Sequence, residues 1–113
     1  MSWNLLIYKP GRSDQSGEPL SALEAVTAAF NGAFPNLHWY SPTAAALLVD
    51  GGFDLELAVE QGAVQDVYTN GGYNHLREFA ALCKQEGWRI ADAQEAEDVD
   101  LQDPYGWYGR RNA

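Results

Sequence analysis

GGYNHLREFAALCKQEGWRIAD, residues Gly71 to Asp92, is the stretch that decides the fold, because every local signal in it agrees. Leu76, Phe79, Ala80 and Cys83 fall at i, i+3, i+4 and i+7, one face of a helix, while Arg77, Glu78, Ala81, Lys84 and Gln85 take the other. Asn74 is the expected N-cap, its side-chain oxygen accepting from a free first-turn N–H. Gly87 suits the C′ position, where positive φ costs least. Glu78 early and Lys84 late both favour the helix dipole. After Gly87 the period drops to two, with Trp88 and Ile90 on one side and Arg89 and Ala91 on the other. The spacing thus predicts a turn, an amphipathic helix, a glycine stop and a buried strand.

Working outward, Phe53 to Glu60 alternates: Phe53, Leu55, Leu57 and Val59 on one face, Asp54, Glu56, Ala58 and Glu60 on the other. Gln61-Gly62 reads as a hairpin turn leading into a partner strand, Ala63 to Thr69. Ala44 to Asp50 is a strand candidate ahead of the turn Asp50-Gly51-Gly52, and Leu37 to Tyr40 a shorter one, broken by Ser41-Pro42. Upstream, Leu20, Leu23, Val26 or Thr27, Phe30 and Phe34 recur at helical spacing after Pro19, giving a first helix over about residues 19 to 32. Trp3 to Lys9 is apolar on both faces, as a central strand is. Pro10 to Glu18 is a polar loop that lacks the spacing and lysine of a phosphate cradle. Val99 and Leu101 share a face, which allows a short edge strand folding back on Trp88 to Ala91.

The resulting order is β-α-β-β-β-α-β. It implies an α+β fold: a single mostly antiparallel sheet of four to six strands with two helices on one face, a ferredoxin-like variant. Residues 1–103 form one domain and 104–113 an aromatic and basic C-terminal tail.

With 113 residues, 46% hydrophobic and 20% charged, the chain has the size and composition of one globular domain. A single cysteine excludes an intrachain disulfide framework. The opening MSWNLLIYKPG has neither a charged n-region nor an apolar h-region, and no apolar run approaches the roughly 20 residues of a membrane span, so a cytoplasmic location is expected. Sixteen acidic against 7 basic residues leave a net charge of −9. Such a surface repels nucleic-acid backbones and anionic lipids and attracts a basic protein.

Chemical motifs are sparse. His38 and His75 have no zinc-type spacing, and Cys83 lies eight positions from His75, about 12 Å along one helix. Asp98-x-Asp100-x-Gln102 resembles the start of a calcium loop, but Asp103 stands where glycine is needed and Gly109 where a bidentate glutamate is needed. No catalytic residue, metal site or cofactor is therefore assigned. Two surfaces stand out instead. One is an acidic sheet face carrying Asp54, Glu56 and Glu60, joined by Asp66 and flanked by Trp39 and Tyr40. The other is the tail, with Tyr105, Trp107 and Tyr108 ahead of Arg110 and Arg111.

The run Leu82 to Gln94, a helix ending in "LC…GW" followed by a strand with "D.Q", resembles small uncharacterised bacterial domains, some of them immunity-protein-like. The resemblance spans about residues 76–94. It implies a bacterial cytoplasmic protein and, for some such domains, neutralisation of a toxin; it carries over no functional residue. The leading expectation is a non-catalytic module that binds a basic protein through Trp39, Tyr40, the acidic face or the tail rings. Two alternatives stand beside it: a small enzyme or ligand-binding domain using His38, His75 and nearby carboxylates, and a structural homodimer.

Overall fold

The computed structural model describes residues 4–10, 18–93 and 97–111. Trp3, most of the Pro10 to Glu18 loop, Glu95 in the acidic run and the last two residues lie outside the described residues. The elements are β1 (Leu5–Tyr8), β2 (Ser21–Ala22), α1 (Leu23–Ala33), β3 (His38–Ser41), β4 (Ala44–Leu47), β5 (Phe53–Glu60), β6 (Ala63–Gly71), a 3₁₀ turn (Tyr73–His75), α2 (Leu76–Glu86), β7 (Arg89–Asp92), β8 (Glu97–Asp98) and α3 (Pro104–Arg111). This is an α+β fold on one antiparallel sheet, ordered β3-β4-β5-β6-β1-β7-β8, with β2 added beside the start of β6.

Among the described residues, eight strands and three helices exceed the four to six and two read from the sequence. The surplus has local causes. Leu20 N–H donates to the Val64 carbonyl and Leu23 N–H to that of Gly62, so residues 20–23 are committed to the edge of β6 and α1 starts at Leu23 instead of near Pro19. The third helix begins where Asp103 caps Pro104: the Asp103 carboxylate accepts the Gly106 N–H at 3.2 Å, and proline at the first helical position has no N–H to leave unpaired. The last strand is Glu97–Asp98, ahead of the expected Val99–Leu101 pair; Val99 instead donates its N–H to the Ile90 carbonyl and is buried.

The central hairpin has a turn of the type its strands require. Gln61 (φ 53°) and Gly62 (φ 79°) are both left-handed, matching the twist of the flanking strands. Between the pairs Ala58↔Asp66 and Val59↔Val64, Gln65 is left over as a bulge. That extra residue lets Val64 and Val67, three apart, point into the same core. The strand β1 lies between β6 and β7, antiparallel to both, and β6 lies between β1 and β5. The four central strands are therefore ordered β7-β1-β6-β5, with α2 crossing over β1 to join β6 to β7.

One side of the sheet is dry. Leu5, Ile7, Phe53, Leu55, Leu57, Val64, Val67 and Ile90 meet Val26 and Phe30 of α1 and Leu76, Phe79 and Cys83 of α2. The α2 face holds as read, with Leu82 added. Its start differs: Asn74 is exposed inside the 3₁₀ turn, and His75 occupies the N-cap position without a side-chain cap bond. Gly87 does end the helix, at φ 78°. Helices α1 and α3 flank α2, and Trp107 of α3 joins the core cluster. Among the described residues no helix is long and apolar enough to cross a membrane.

Candidate functional site

The other side of the sheet is wet. Strand alternation puts Asp54 and Glu56 of β5 there, both exposed, opposite Asn70 and Tyr68 of β6. Across β4 the same rows reach Ala46 and Ala44, and Ala46 is paired with His38. The His38 and Tyr40 rings meet edge to face at 4.8 Å, and Tyr40 is 60% exposed. Tyr68, Leu6 and Tyr8 continue the surface toward β7, half-buried. The far end is held by Tyr8, whose hydroxyl donates to Asp98 at 2.8 Å, with Arg89 3.9 Å from the same carboxylate. Burial first, then the hydrogen bond and charge of Asp98, raise the Tyr8 hydroxyl above its usual range. Asp66 sits opposite Ala58 on this face, and burial raises its carboxyl above the ordinary value.

The residues expected to bind a partner are distributed over three places. Tyr40, Asp54 and Glu56 share the open face, with Glu60 on the same row at the hairpin tip. Trp39 points the other way, its indole N–H donating to Asn31 Oδ1 of α1 at 2.8 Å. There it lines a groove of about 490 Å³ with Leu23, Glu24, Thr27, Ala28 and Pro42. Sequence reasoning missed this groove, because Trp39 and α1 are brought together only by the β3-β4 hairpin folding under the helix.

The tail rings form the third group. Trp107 is buried and donates its indole N–H to Glu97 at 2.9 Å. The Tyr108 ring lies 4.9 Å from that of Tyr73. Tyr105 stays partly exposed under the Arg77 guanidinium, 5.7 Å from the ring centre. Arg110 lies 3.9 Å from Asp103.

The two histidines are not brought together. His38 is on the open face, whereas His75 packs against Phe34 and Phe53 on the helix side, with Glu78 at 3.7 Å. Cys83 is buried and its thiol is pushed up to about 12 by desolvation, which removes the nucleophilic thiolate. The calcium-like run is spent on turns: Asp100 accepts the Gln102 N–H at 3.0 Å, and Asp103 caps α3. Among the described residues no cluster of three or more His, Cys, Asp or Glu is arranged to hold a metal. Comparison with family models, curated proteins and solved structures finds no match.

Proposed function

We propose that this chain is a non-catalytic binding module for a basic protein, built on a ferredoxin-like core extended by the β3-β4 hairpin and β8. The observation that carries the reading is the open sheet face. Its β5 row presents Asp54 and Glu56 to solvent, and Tyr40, Tyr68 and Tyr8 supply rings along it. A sheet face without a covering helix or a second sheet is unusual unless it is wet or used. Here the carboxylates keep it wet in the free protein, and a net charge of −9 steers a cationic partner onto it. Inhibition of a basic toxin, as in immunity proteins, is one activity of this type. The order β7-β1-β6-β5, with α1 between β1 and β5, a hairpin between β5 and β6 and α2 between β6 and β7, supports the ferredoxin-like assignment.

The test is titration with a lysine-rich peptide at low salt, followed by backbone amide shifts. Expected are shifts along β5 and β6, an affinity that falls with added salt, and a loss of roughly tenfold or more in the double variant Asp54→Lys, Glu56→Lys. Both side chains are exposed, so the variant keeps the fold. Unchanged binding by the double variant sinks the reading.

A further inference from the structure

We propose that the partner enters as an extended segment added to the free edge of β3, with apolar side chains in the Trp39 groove and alternate basic side chains over the Asp54 and Glu56 face. This deepens the basic-partner reading and rests on it.

The juxtaposition is at Trp39 and Tyr40. These neighbours point to opposite sides of one strand: Trp39 toward Asn31 of α1, Tyr40 beside His38 on the open face. The strand ends the sheet, and among the described strands β4 is its sole neighbour, so its outer backbone groups form an edge. A segment laid along that edge projects side chains alternately to the two faces. One set reaches the groove, where Leu23, Thr27, Ala28 and Pro42 offer an apolar wall and Glu24 a charge. The other set comes out on the open face beside His38 and Tyr40, on the same side of the sheet as the β5 carboxylates, whose field draws basic side chains there at low salt. Neither surface alone specifies an extended partner; their placement on either side of one free edge does.

The edge is also short and irregular. Tyr40 is an extra residue between the pairs Trp39↔Ala45 and Ser41↔Ala44, a bulge that limits the length of a regular ladder. Affinity must then come from the anchor in the groove and from charge, with only a few backbone bonds fixing direction. The bulge and Pro42 discourage indiscriminate edge pairing. A second copy of this chain is the poorer occupant, because it brings the same charge of −9 to the acidic face.

The experiment uses a capped synthetic peptide of about six residues, alternating lysine and leucine, a typical strand length. Three controls accompany it: a peptide of the same composition in two blocks, and two versions N-methylated on alternate amides, one for each strand edge. Amide shifts and Kd are read by NMR on the full chain. Expected are shifts at His38 to Ser41, weakening of roughly tenfold in the block peptide and in one methylated version but not the other, and a similar loss with Ala28→Arg. Ala28 is exposed on α1, so arginine there fills the groove without touching the core. No binding, equal binding by the block and alternating peptides, or two methylated peptides that both match the parent overturns strand addition. If the peptides bind through Asp54 and Glu56 alone, without β3, strand addition falls and the basic-partner reading stands. If Ala28→Arg weakens binding and charge reversal at Asp54 and Glu56 does not, the basic-partner reading falls and the proposal with it.

Discussion

Trp107 donates its indole N–H to a Glu97 carboxylate oxygen at 2.9 Å, tying the last helix to the last strand of the sheet. The ring itself is 6% exposed and belongs to the main core, so α3 is held by an apolar anchor with a directed polar contact at its rim. The strand β8 is only two residues long and gains its support from both sides: the pairing with β7 and this bond.

Trp107→Ala is expected to cost about 3–5 kcal/mol, the usual loss for a buried aromatic. Trp107→Phe keeps most of the ring and removes the bond, for about 1 kcal/mol. Truncation after Asp103 removes the ring with its helix and lowers the thermal midpoint as well. Urea denaturation and thermal melts check all three. Equal stability of the Ala variant and the parent would mean that α3 is not anchored by this ring.

Cys83 makes alkaline stability a readout of burial. Its thiol ionises near 9.0 in the unfolded chain and about 12 in the fold. Between those values the unfolded state loses a proton that the native state keeps, so stability falls as pH rises, with a limiting slope of about 1.4 kcal/mol per pH unit for this one group. Below 9.0 both states hold the proton and the effect vanishes. Denaturation of the parent and of Cys83→Ala across this range should show a shallower decline in the variant. Parallel curves would place the thiol in contact with solvent. At neutral pH the thiol should also resist alkylation until the protein unfolds.

Asp66 works in the opposite pH range. Burial raises its carboxyl above 3.8, so the folded state favours the protonated form. Its stabilising contribution is present below that unfolded value and is lost as pH rises through the folded one. Asp66→Asn should therefore be more stable than the parent at neutral pH, with the gap closing in acid. A gap that is constant with pH would trace the gain to something other than ionisation.

The turn at Gln61-Gly62 separates backbone strain from packing. Gly62 has φ 79°, and a Cβ there would meet nothing within 4 Å. Gly62→Ala should thus cost about 1–2 kcal/mol through conformation alone. Gln61→Asn, which tolerates φ 53° better, should gain a few tenths of a kcal/mol. At Gly72 the φ of 101° is joined by a tight contact, since a Cβ would lie 3.0 Å from the fully buried Phe79 ring. Gly72→Ala should therefore cost more than Gly62→Ala. Chemical denaturation ranks the three variants, and equal losses at the two glycines would remove the steric part.

Much of this architecture is legible in the residue pattern. The face Leu76, Phe79, Ala80 and Cys83, the stop at Gly87, and the alternation from Phe53 to Leu57 each depend on neighbours a few positions apart, although Val59, expected on the apolar face, is exposed past the Gln65 bulge. The Asp103-Pro104 pair is a helix start of the same local kind, readable but obscured by the glycines among the rings that follow. The bulges at Gln65 and Tyr40 leave no such trace, because a leftover residue is defined by the partner strand's register. Nor does the fate of Leu20 to Leu23, where a helical pattern loses its first turn to hydrogen bonds with Gly62 and Val64 at the start of β6, about forty residues away in the chain.

The sequence by itself therefore determined the composition of the surfaces: an acidic row on β5, a strongly negative chain and paired aromatics at Trp39-Tyr40 and Tyr105 to Tyr108. Periodicity also assigned Asp54 and Glu56 to one side, since side chains alternate along any strand. Only the tertiary structure decided which rings are surface and which are core. Trp107 is consumed by its own domain, and Trp39 turns under α1, while Tyr40 is left exposed beside His38 at the sheet's edge. The physical reason is that burial of a ring depends on what packs against it. For Trp39 that is a helix reached by a hairpin, and for Trp107 a core whose members come from the whole chain.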